Sequence, residues 1–291
     1  MTIYNLGSIN ADLFYRLPHF PGPGETLAAT DHWRGLGGKG TNMSVAAARA
    51  AAHVVHIGAV GSDGKWAVER LTEYGVDTTR IATVPDPTGH AIVMLDAAGE
   101  NSIVLAPGAN HAIPADLLSQ AMAAATESDT FLFQNETNAQ RDGARIASAK
   151  GMRVAYAAAP FDSDAVSAVL PLLDLLILNE VEAAQLAKAT GQNVETLPVR
   201  DIVVTLGAKG ARWINTDTGQ ALDVPALPVT PVDTTGAGDT FTGYLVAGLD
   251  RGMPMEQALS LATTAAALMV TRQGTADVIP DLKEVHEMRG G

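Results

Sequence analysis

The alternation of two kinds of segment constrains the fold of this chain most strongly. From about Pro114 onward, short runs rich in leucine or β-branched residues alternate with alanine-rich helical patterns. This rhythm is typical of repeated βαβ units and of a mostly parallel sheet. The predicted strands of this part lie at 129–134, 153–157, 174–178 and 201–206, and the predicted helices lie near 137–149, 163–171 and 179–189.

Further elements extend the pattern towards both ends of the chain. They are predicted strands at 3–6 and 54–60 and predicted helices at 40–52, 236–251, 255–270 and 281–288. The expected fold class is therefore α/β, with a doubly wound, mostly parallel sheet flanked by helices.

Two segments, 13–35 and 79–106, do not fit this rhythm. Each contains short strand-like pieces around a turn, PGPGET at 21–26 and DAAGE at 96–100. We expect the two segments to form one small β-sheet inserted in the main domain, where it would act as a lid over a site at the sheet edge. An ordinary hairpin excursion is the alternative.

Composition restricts the partners of this chain. Its 291 residues include 19 Lys and Arg against 32 Asp and Glu, a formal net charge of −13. Nucleic acids and anionic membranes are bound by clusters of basic residues, so neither is an expected partner. The absence of cysteine excludes disulfides, thiolate catalysis and cysteine-ligated metals. Without a signal-peptide pattern or an apolar run that could span a bilayer, a cytoplasmic protein is expected.

The segment PVDTTGAGDTF at 231–241 places a glycine-rich turn and a carboxylate at the start of an apolar helical run. The N–H groups of Gly236, Ala237 and Gly238 can point in one direction because no bulky side chain crowds the turn, and a helix N-terminus favours negative charge. Asp239 then lies within reach of whatever the anion is joined to. Simple helix capping is the alternative, but capping alone does not require two glycines. The segment predicts an anion site beside a base.

Two other phosphate-binding motifs were compared with the sequence. A P-loop is absent, because Gly38-Lys39 is followed by Gly40 and Trp33 stands where the first glycine of that motif belongs. GLGGKG at 35–40 matches the dinucleotide pattern GxGxxG, but the residues before it do not form a buried strand. A nicotinamide enzyme that binds its cofactor at 35–40 is the weaker alternative.

Several motifs occur in order along the whole chain. DTTGAGD within 231–241 resembles the C-terminal signature of the PfkB-type, ribokinase-like sugar kinases, and GLGGKGTN at 35–42 resembles their N-terminal signature. GSINAD at 7–12 resembles the sugar-binding opening of ribokinases in particular. The same family order is followed by PGET at 23–26, GAN at 108–110, NEVE at 179–182 and TLGAKG at 205–210. The resemblance implies a single ribokinase-like kinase domain over residues 1–291.

The resemblance assigns roles to the residues that match the family motifs. Asp239 would accept the proton of the attacking sugar hydroxyl, and the N–H groups of residues 236–238 would hold the transferring phosphoryl oxygens, as the chemistry of phosphoryl transfer also requires. The sugar-binding residues implied by the resemblance are Asn10, Asp12, Gly38, Lys39, Asn42 and Glu136. Without the family, Asn10 and Asp12 would be ordinary loop residues and Lys39 a solvated cation.

The same resemblance implies a nucleotide site and its ions. It assigns Asn179 and Glu182 to the ATP phosphates and to hydrated magnesium (Mg²⁺), although a simple helix cap explains their spacing equally well. The other implied ATP-binding residues are Thr205, Gly207, Lys209, Gly210, Gly238 and Thr263. A potassium ion (K⁺) would lie among oxygen ligands that suit a hard cation, Asp233 and the carbonyls of Thr235, Met269, Arg272 and Gly274.

The chain departs from the ribokinase pattern at three places. Val278 replaces a serine often found beside the cation site, and residues 157–160 read AAAP in place of an Asn-Pro-Ala-Pro stretch near the cleft. The interval 179–205 is shorter by roughly one helix, which spans a dozen residues on average. The seven histidines show no metal spacing, and His53 and His56 are interpreted as structural.

These motifs predict an ATP-dependent kinase for the primary hydroxyl of a pentose-like sugar. Ribose is the preferred substrate because Lys39 and GSINAD resemble ribokinase most. Deoxyribose, a fructose-like sugar and a nucleoside are alternatives within the family. A sugar-binding sensor without turnover is an alternative of another class, although the intact Asp239 and its flanking glycines favour catalysis. We expect a homodimer, because the inserted sheet has edges that can pair with a second copy.

Overall fold

The computed structural model of this chain describes residues 1–98 and 100–290. The strands are β1 (Thr2–Leu6), β2 (Asn10–Arg16), β3 (Asp31–Gly37), β4 (His53–Val60), β5 (Asp77–Thr83), β6 (Gly89–Leu95), β7 (Asn101–Ala106), β8 (Thr130–Phe133), β9 (Arg153–Ala157), β10 (Leu175–Asn179), β11 (Asp201–Thr205), β12 (Ala211–Asn215) and β13 (Gln220–Val224). The α-helices are α1 (Lys39–Arg49), α2 (Lys65–Glu73), α3 (Leu117–Ala121), α4 (Gln140–Ala149), α5 (Ser163–Val169), α6 (Glu180–Thr190), α7 (Ala237–Asp250), α8 (Met255–Met269) and α9 (Leu282–Gly290).

The larger of two sheets has the strand order β13-β12-β11-β10-β9-β8-β1-β4-β5. The strands from β11 to β5 in this order all run parallel, and β12 and β13 add an antiparallel hairpin at one edge. The chain starts in the middle of the sheet and builds outward in both directions, as in doubly wound folds. The predicted mostly parallel α/β sheet is confirmed.

The core lies in two layers, one on each face of the large sheet. Successive side chains of β10 show the division, because Leu175 and Ile177 belong to the same buried cluster as residues of α1, α7 and α8, whereas Leu176 and Leu178 belong to that of α4, α5 and α6. Burial on both faces explains why the parallel strands read as nearly continuous apolar runs. No helix within the described residues combines the length and the apolar character that crossing a membrane requires.

The smaller sheet has the strand order β3-β2-β6-β7. In β2 and β3 the residues Asn10 and Gly37 are paired, and Asp12 is paired with Gly35. Strand β2 of the small sheet therefore carries Asn10 and Asp12, the first sugar-binding residues that the resemblance implies. A second sheet inserted in the main domain agrees with the sequence prediction.

The boundaries of the inserted segments differ from the predicted ranges 13–35 and 79–106. Asp77–Thr83 (β5) pairs with β4 at the edge of the large sheet, and the second segment enters the small sheet only at Gly89. An edge strand is half-buried, so its sequence pattern resembles that of a small-sheet strand. Gly99, in the predicted turn at 96–100, lies outside the described residues.

Helices α1 and α7 pack closely against each other in the layer on one face of the large sheet. A Cβ on Gly243 would lie 2.5 Å from the Ala46 Cβ and 2.6 Å from the Met43 carbonyl oxygen. Only glycine at this position lets the two helices approach so closely, because any side chain would push them apart. This contact brings the N-terminal turns of both helices to one place.

Candidate active site

Two clefts meet at the N-terminus of α7. The polar cleft, about 760 Å³ in volume, is lined by the small sheet, α1 and the turn before α7. The apolar cleft, about 500 Å³, is lined by the loop after β11, residues 226–231 and the inner faces of α7 and α8. Gly236 precedes α7 with a φ of 74°, a left-handed conformation that glycine adopts without strain. Gly236 lines the polar cleft, and Ala237 and Gly238 line the apolar cleft.

Asp239 lies in the first turn of α7, where its side chain is buried and faces the polar cleft. Asn42 Nδ2, from α1, donates a hydrogen bond of 2.8 Å to Asp239 Oδ2. Burial raises the pKa of Asp239, whereas the nearby charge of Lys39 and the Asn42 hydrogen bond lower it. The carboxylate therefore binds a proton more readily than an exposed aspartate does. Among the described residues, no side chain donates a hydrogen bond to Asp239 Oδ1, which can accept one from a ligand.

Lys39 and Glu136 face each other across the polar cleft. Glu136 Oε2 accepts hydrogen bonds from the Lys39 backbone N–H (3.0 Å) and from Ser8 Oγ (2.5 Å). The Lys39 ammonium lies 4.0 Å from Glu136 Oε1. The negative charge of Asp239 raises the pKa of Lys39, and the charge of Glu136 acts in the same direction. The Lys39 ammonium thus lies among carboxylates, and Arg16 and Arg34 add further positive charge to the lining of the cleft.

Asp12 lies against the glycine-rich strand β3. A Cβ on Gly37 would lie only 2.0 Å from Asp12 Oδ2, so glycine there makes room for the carboxylate. Burial raises the pKa of Asp12 to about 7, with a further contribution from Glu136 and an opposing one from Lys39. Near neutral pH the carboxyl group is therefore present in both its protonated and its deprotonated form, and its deprotonated form can accept a hydrogen bond from a bound hydroxyl group.

Asn10 is held by a second amide that the sequence had not assigned to the site. Asn110 Nδ2 donates to Asn10 Oδ1 (2.7 Å), and Asn110 Oδ1 accepts from the Ile9 backbone N–H (2.9 Å). Asn110 belongs to the GAN motif at 108–110, and Ser8 belongs to GSINAD, so both motifs carried a signal for these residues. Their roles depend on contacts more than 100 residues apart, which spacing does not reveal.

Most residues assigned by resemblance come together at the two clefts. The polar cleft is lined by all six implied sugar-binding residues and by three of the implied cation ligands, namely Asn10, Asp12, Gly38, Lys39, Asn42, Glu136, Asp233, Thr235 and Gly274. The apolar cleft is lined by five of the implied ATP-binding residues, namely Thr205, Gly207, Gly210, Gly238 and Thr263. In the described part of the chain, the cleft linings do not include Asn179, Glu182, Lys209, Met269 or Arg272.

Asn179 and Glu182 form a capping box at the start of α6. Glu182 N–H donates to Asn179 Oδ1 and Asn179 N–H donates to Glu182 Oε2, both at 2.8 Å. Burial raises the pKa of Glu182, whereas its hydrogen bond from the Asn179 N–H and the charge of Lys39 lower it. Glu182 Oε1 stays available to a ligand. Lys209 lies 3.4 Å from Glu180 Oε1 in an exposed ion pair.

The loop assigned to a monovalent cation is held by its own hydrogen bonds. Asp233 accepts from the N–H groups of Thr235 (2.9 Å) and Gly274 (3.2 Å). Met269 accepts from the Arg272 N–H (3.1 Å). Among the described residues, no protein donor bonds the carbonyls of Thr235, Arg272 or Gly274. Carbonyl oxygens without donors fit a hard cation.

The family of this chain follows from comparison with known proteins. Residues 2–282 match the family described as pfkB family carbohydrate kinase. The chain is 36% identical to ribokinase of Haemophilus influenzae over 98% of this chain and 97% of that protein. It is 30% identical to deoxyribokinase of Salmonella typhi over 99% and 98% of the two chains.

A solved structure shows the same architecture. Arabidopsis thaliana ribokinase complexed with ribose and ATP is 29% identical, covers 99% of this chain and 97% of its own, and superposes with a TM-score of 0.85. The sequence, the fold and the two clefts agree, and the chain therefore belongs to the pfkB family of carbohydrate kinases, which are phosphotransferases with an alcohol acceptor.

Proposed function

We propose that this protein transfers the γ-phosphoryl group of ATP to the primary hydroxyl of ribose. The observation that carries this proposal is the buried Asp239 carboxylate at the junction of a polar and an apolar cleft. Phosphoryl transfer requires an acceptor and a donor in line beside one base, which two adjoining clefts supply. The similarity to ribokinases, one of them complexed with ribose and ATP, supports the choice of substrates.

The polar cleft suits a sugar because it offers donors and acceptors side by side. Asp12 and Glu136 accept hydrogen bonds from sugar hydroxyls, and the Lys39 ammonium donates to the hydroxyl oxygens. Asn42 already orients Asp239. A primary hydroxyl that reaches the free oxygen of Asp239 becomes the nucleophile.

Asp239 takes the proton of that hydroxyl while the new oxygen–phosphorus bond forms and the bond to the bridging oxygen of ATP breaks, so that ADP leaves. A well-placed base contributes about 10²- to 10⁴-fold to the rate. The N–H groups of Gly236 and Gly238 hold the phosphoryl oxygens, and the Ala237 N–H joins them in place of its 3.3 Å hydrogen bond to the Thr234 carbonyl. A Cβ on Gly238 would meet no protein atom within 4 Å, so packing does not require glycine there and the open space suits a ligand.

The apolar cleft suits the adenine ring, with Phe241 and Thr263 in its wall and the loop after β11 at its mouth. Among the described residues, no group of three or more His, Asp or Glu side chains could hold a metal ion. Mg²⁺ would therefore take most ligands from phosphate and water, with Asn179 and Glu182 beside it. When bound, Mg²⁺ neutralises charge on the phosphates.

A monovalent cation such as K⁺ belongs to the same proposal. Asp233 and the carbonyls of Thr235, Met269, Arg272 and Gly274 would hold it. Its positive charge would add to the favourable field of the α7 N-terminus for the phosphoryl group.

The proposed activity is tested by a panel of acceptors. ADP formation is measured with Mg²⁺-ATP and D-ribose, 2-deoxy-D-ribose, D-fructose, inosine or adenosine, each with and without K⁺. We expect D-ribose to give the highest kcat/KM and K⁺ to increase it. A higher kcat/KM with 2-deoxy-D-ribose would contradict the proposed substrate, a result that the similarity to a deoxyribokinase makes worth testing. Tight ribose binding without ADP formation would favour a sensor.

Replacement of Asn42 tests the role of Asp239 through pH. Asn42→Ala removes a hydrogen bond that lowers the pKa of Asp239, so that pKa rises. Because the base acts in its deprotonated form, the acidic limb of kcat/KM should move to higher pH. Asn101→Ala, in the same cleft lining but on the small sheet, is the matched control. An unmoved acidic limb in folded Asn42→Ala would contradict the role.

We also propose a homodimer through the small sheet. The edge strand β7 exposes three consecutive apolar residues, Ile103, Val104 and Leu105, at 51%, 54% and 58% of their surfaces. Such a strand is a ready pairing site for a second copy of the chain. Sedimentation velocity should show a dimer for the unmodified protein and a monomer for Leu105→Asp. A monomer in both would contradict the proposal.

A further inference from the structure

A series of buried polar side chains lies beneath the polar cleft and takes no part in the chemistry proposed above. Asn5, Ser44, His56 and Gln134 are fully buried, and we call them the buried network. Gln134 Nε2 donates to Asn5 Oδ1 (3.0 Å), and Asn5 Nδ2 donates to Ser44 Oγ (2.8 Å). Ser44 Oγ lies 2.8 Å from His56 Nδ1, and His56 Nε2 lies 3.1 Å from the Gly7 carbonyl oxygen.

Chemistry fixes the direction of these hydrogen bonds. The Gly7 carbonyl can only accept, so His56 Nε2 carries a proton. Burial lowers the pKa of His56 to about 4, so the ring is neutral near neutral pH and Nδ1 has no proton. Ser44 therefore donates to Nδ1 while it accepts from Asn5. One tautomer and one hydroxyl orientation satisfy every contact of the histidine.

The buried network holds two backbone segments that carry the polar cleft. His56 bonds the carbonyl of Gly7, which leads into β2, and Asn5 Nδ2 also donates to the carbonyl of Gly40 (2.8 Å), which follows Lys39 in α1. A Cβ on Gly7 would lie 2.4 Å from the Gly40 Cα. The two glycines thus let the segments touch, and hydrogen bonds from both sides fix their separation.

The same two segments are linked to the ion pair of the polar cleft. Ser8 Oγ donates to Glu136 Oε2 and accepts from the Gly40 N–H (3.2 Å), and Thr41 N–H donates to the Ser8 carbonyl (2.9 Å). A shift of Gly7 relative to Gly40 would therefore move Ser8 and Glu136 together. It would change the distance between Glu136 and Lys39, which is 4.0 Å between the charged groups.

Stability alone does not account for a histidine at this position. In β4, His56 is the polar member of an otherwise apolar buried run, Val54–Val60. Burying a polar ring requires every partner to be present, and an apolar side chain of similar size would avoid that requirement. What the histidine adds over an apolar residue is a fixed position for the backbone that it bonds.

We propose that His56 is a positioning residue for the acceptor site. Together with Asn5 and Ser44 it sets the separation of Gly7 and Gly40, and thereby the placement of the Lys39–Glu136 pair against the acceptor sugar. The identity of the acceptor rests on the proposed function, but the contact between the two segments exists without any ligand.

Hydrogen exchange of the ligand-free protein tests this role directly. His56→Leu removes the hydrogen bonds to Ser44 and to the Gly7 carbonyl and fills the same place in the core with an apolar side chain. Amide exchange of residues 7–10 and 39–42, relative to that of α8, should rise about tenfold, as expected for loss of the buried hydrogen bond to the Gly7 carbonyl. Val54→Ala removes buried volume from the same strand and should leave this ratio unchanged. An unchanged ratio in folded His56→Leu would overturn the inference.

Steady-state kinetics of His56→Leu provide the second measurement. If His56→Leu does not fold, Ser44→Ala, which removes the hydrogen bond to His56 Nδ1, takes its place. Either variant should raise the KM for D-ribose about tenfold and leave the KM for ATP within about twofold. His56→Gln, which keeps a donor towards Gly7, should recover part of the loss. An equal rise of both KM values would overturn the inference. Failure of the unmodified protein to phosphorylate ribose would contradict only the proposed function, because hydrogen exchange still tests the positioning role.

Discussion

The hydrogen bond from Asn42 to Asp239 joins two helix N-termini that are 197 residues apart in sequence. A buried carboxylate without a partner would destabilise the folded state by several kcal/mol. The N-terminal turns of α1 and α7 must therefore lie within hydrogen-bonding distance of each other. Gly243 permits that meeting because it leaves the α1 backbone in direct contact with α7. The packing of the two helices therefore determines the position of the Asp239 carboxylate.

The electrostatics of the polar cleft follow from this constraint. Asp12, Glu136 and Asp239 surround the single ammonium of Lys39, and burial raises the pKa values of Asp12 and Asp239. Buried carboxylates with raised pKa values are strong hydrogen-bond acceptors, and the hydroxyl groups of a sugar are suitable donors for them. At the other side of the α7 N-terminus, the glycine turn presents N–H groups and no carboxylate faces the apolar cleft lining within the described residues. Asp239, in the first turn of α7, thus lines the polar cleft, whereas Gly238 and Ala237, one and two residues before it, line the apolar cleft.

The sequence predicted the alternating strands and helices of the large sheet because burial on both faces produces continuous apolar runs. It did not distinguish β5 from a small-sheet strand, since both are half-buried. Motifs identified many of the residues that line the clefts, but five residues implied by the same resemblance, Asn179, Glu182, Lys209, Met269 and Arg272, are not among the described lining residues. Supporting contacts such as Asn110 to Asn10 and Ser44 to His56 could not be predicted, because they depend on tertiary structure. The sequence predicted a structural role for His56, but its hydrogen bond to the Gly7 carbonyl, just before β2, could not be predicted.

We propose that the Asp239 carboxylate is the base between the two clefts, and turnover by Asp239→Asn tests this role most directly. Asparagine keeps the size of the side chain but cannot take up the proton. We predict that the variant folds, binds ATP and ribose with nearly unchanged affinity in calorimetry, and loses about 10²- to 10⁴-fold in kcat. Near-normal kcat in a folded Asp239→Asn would contradict the account.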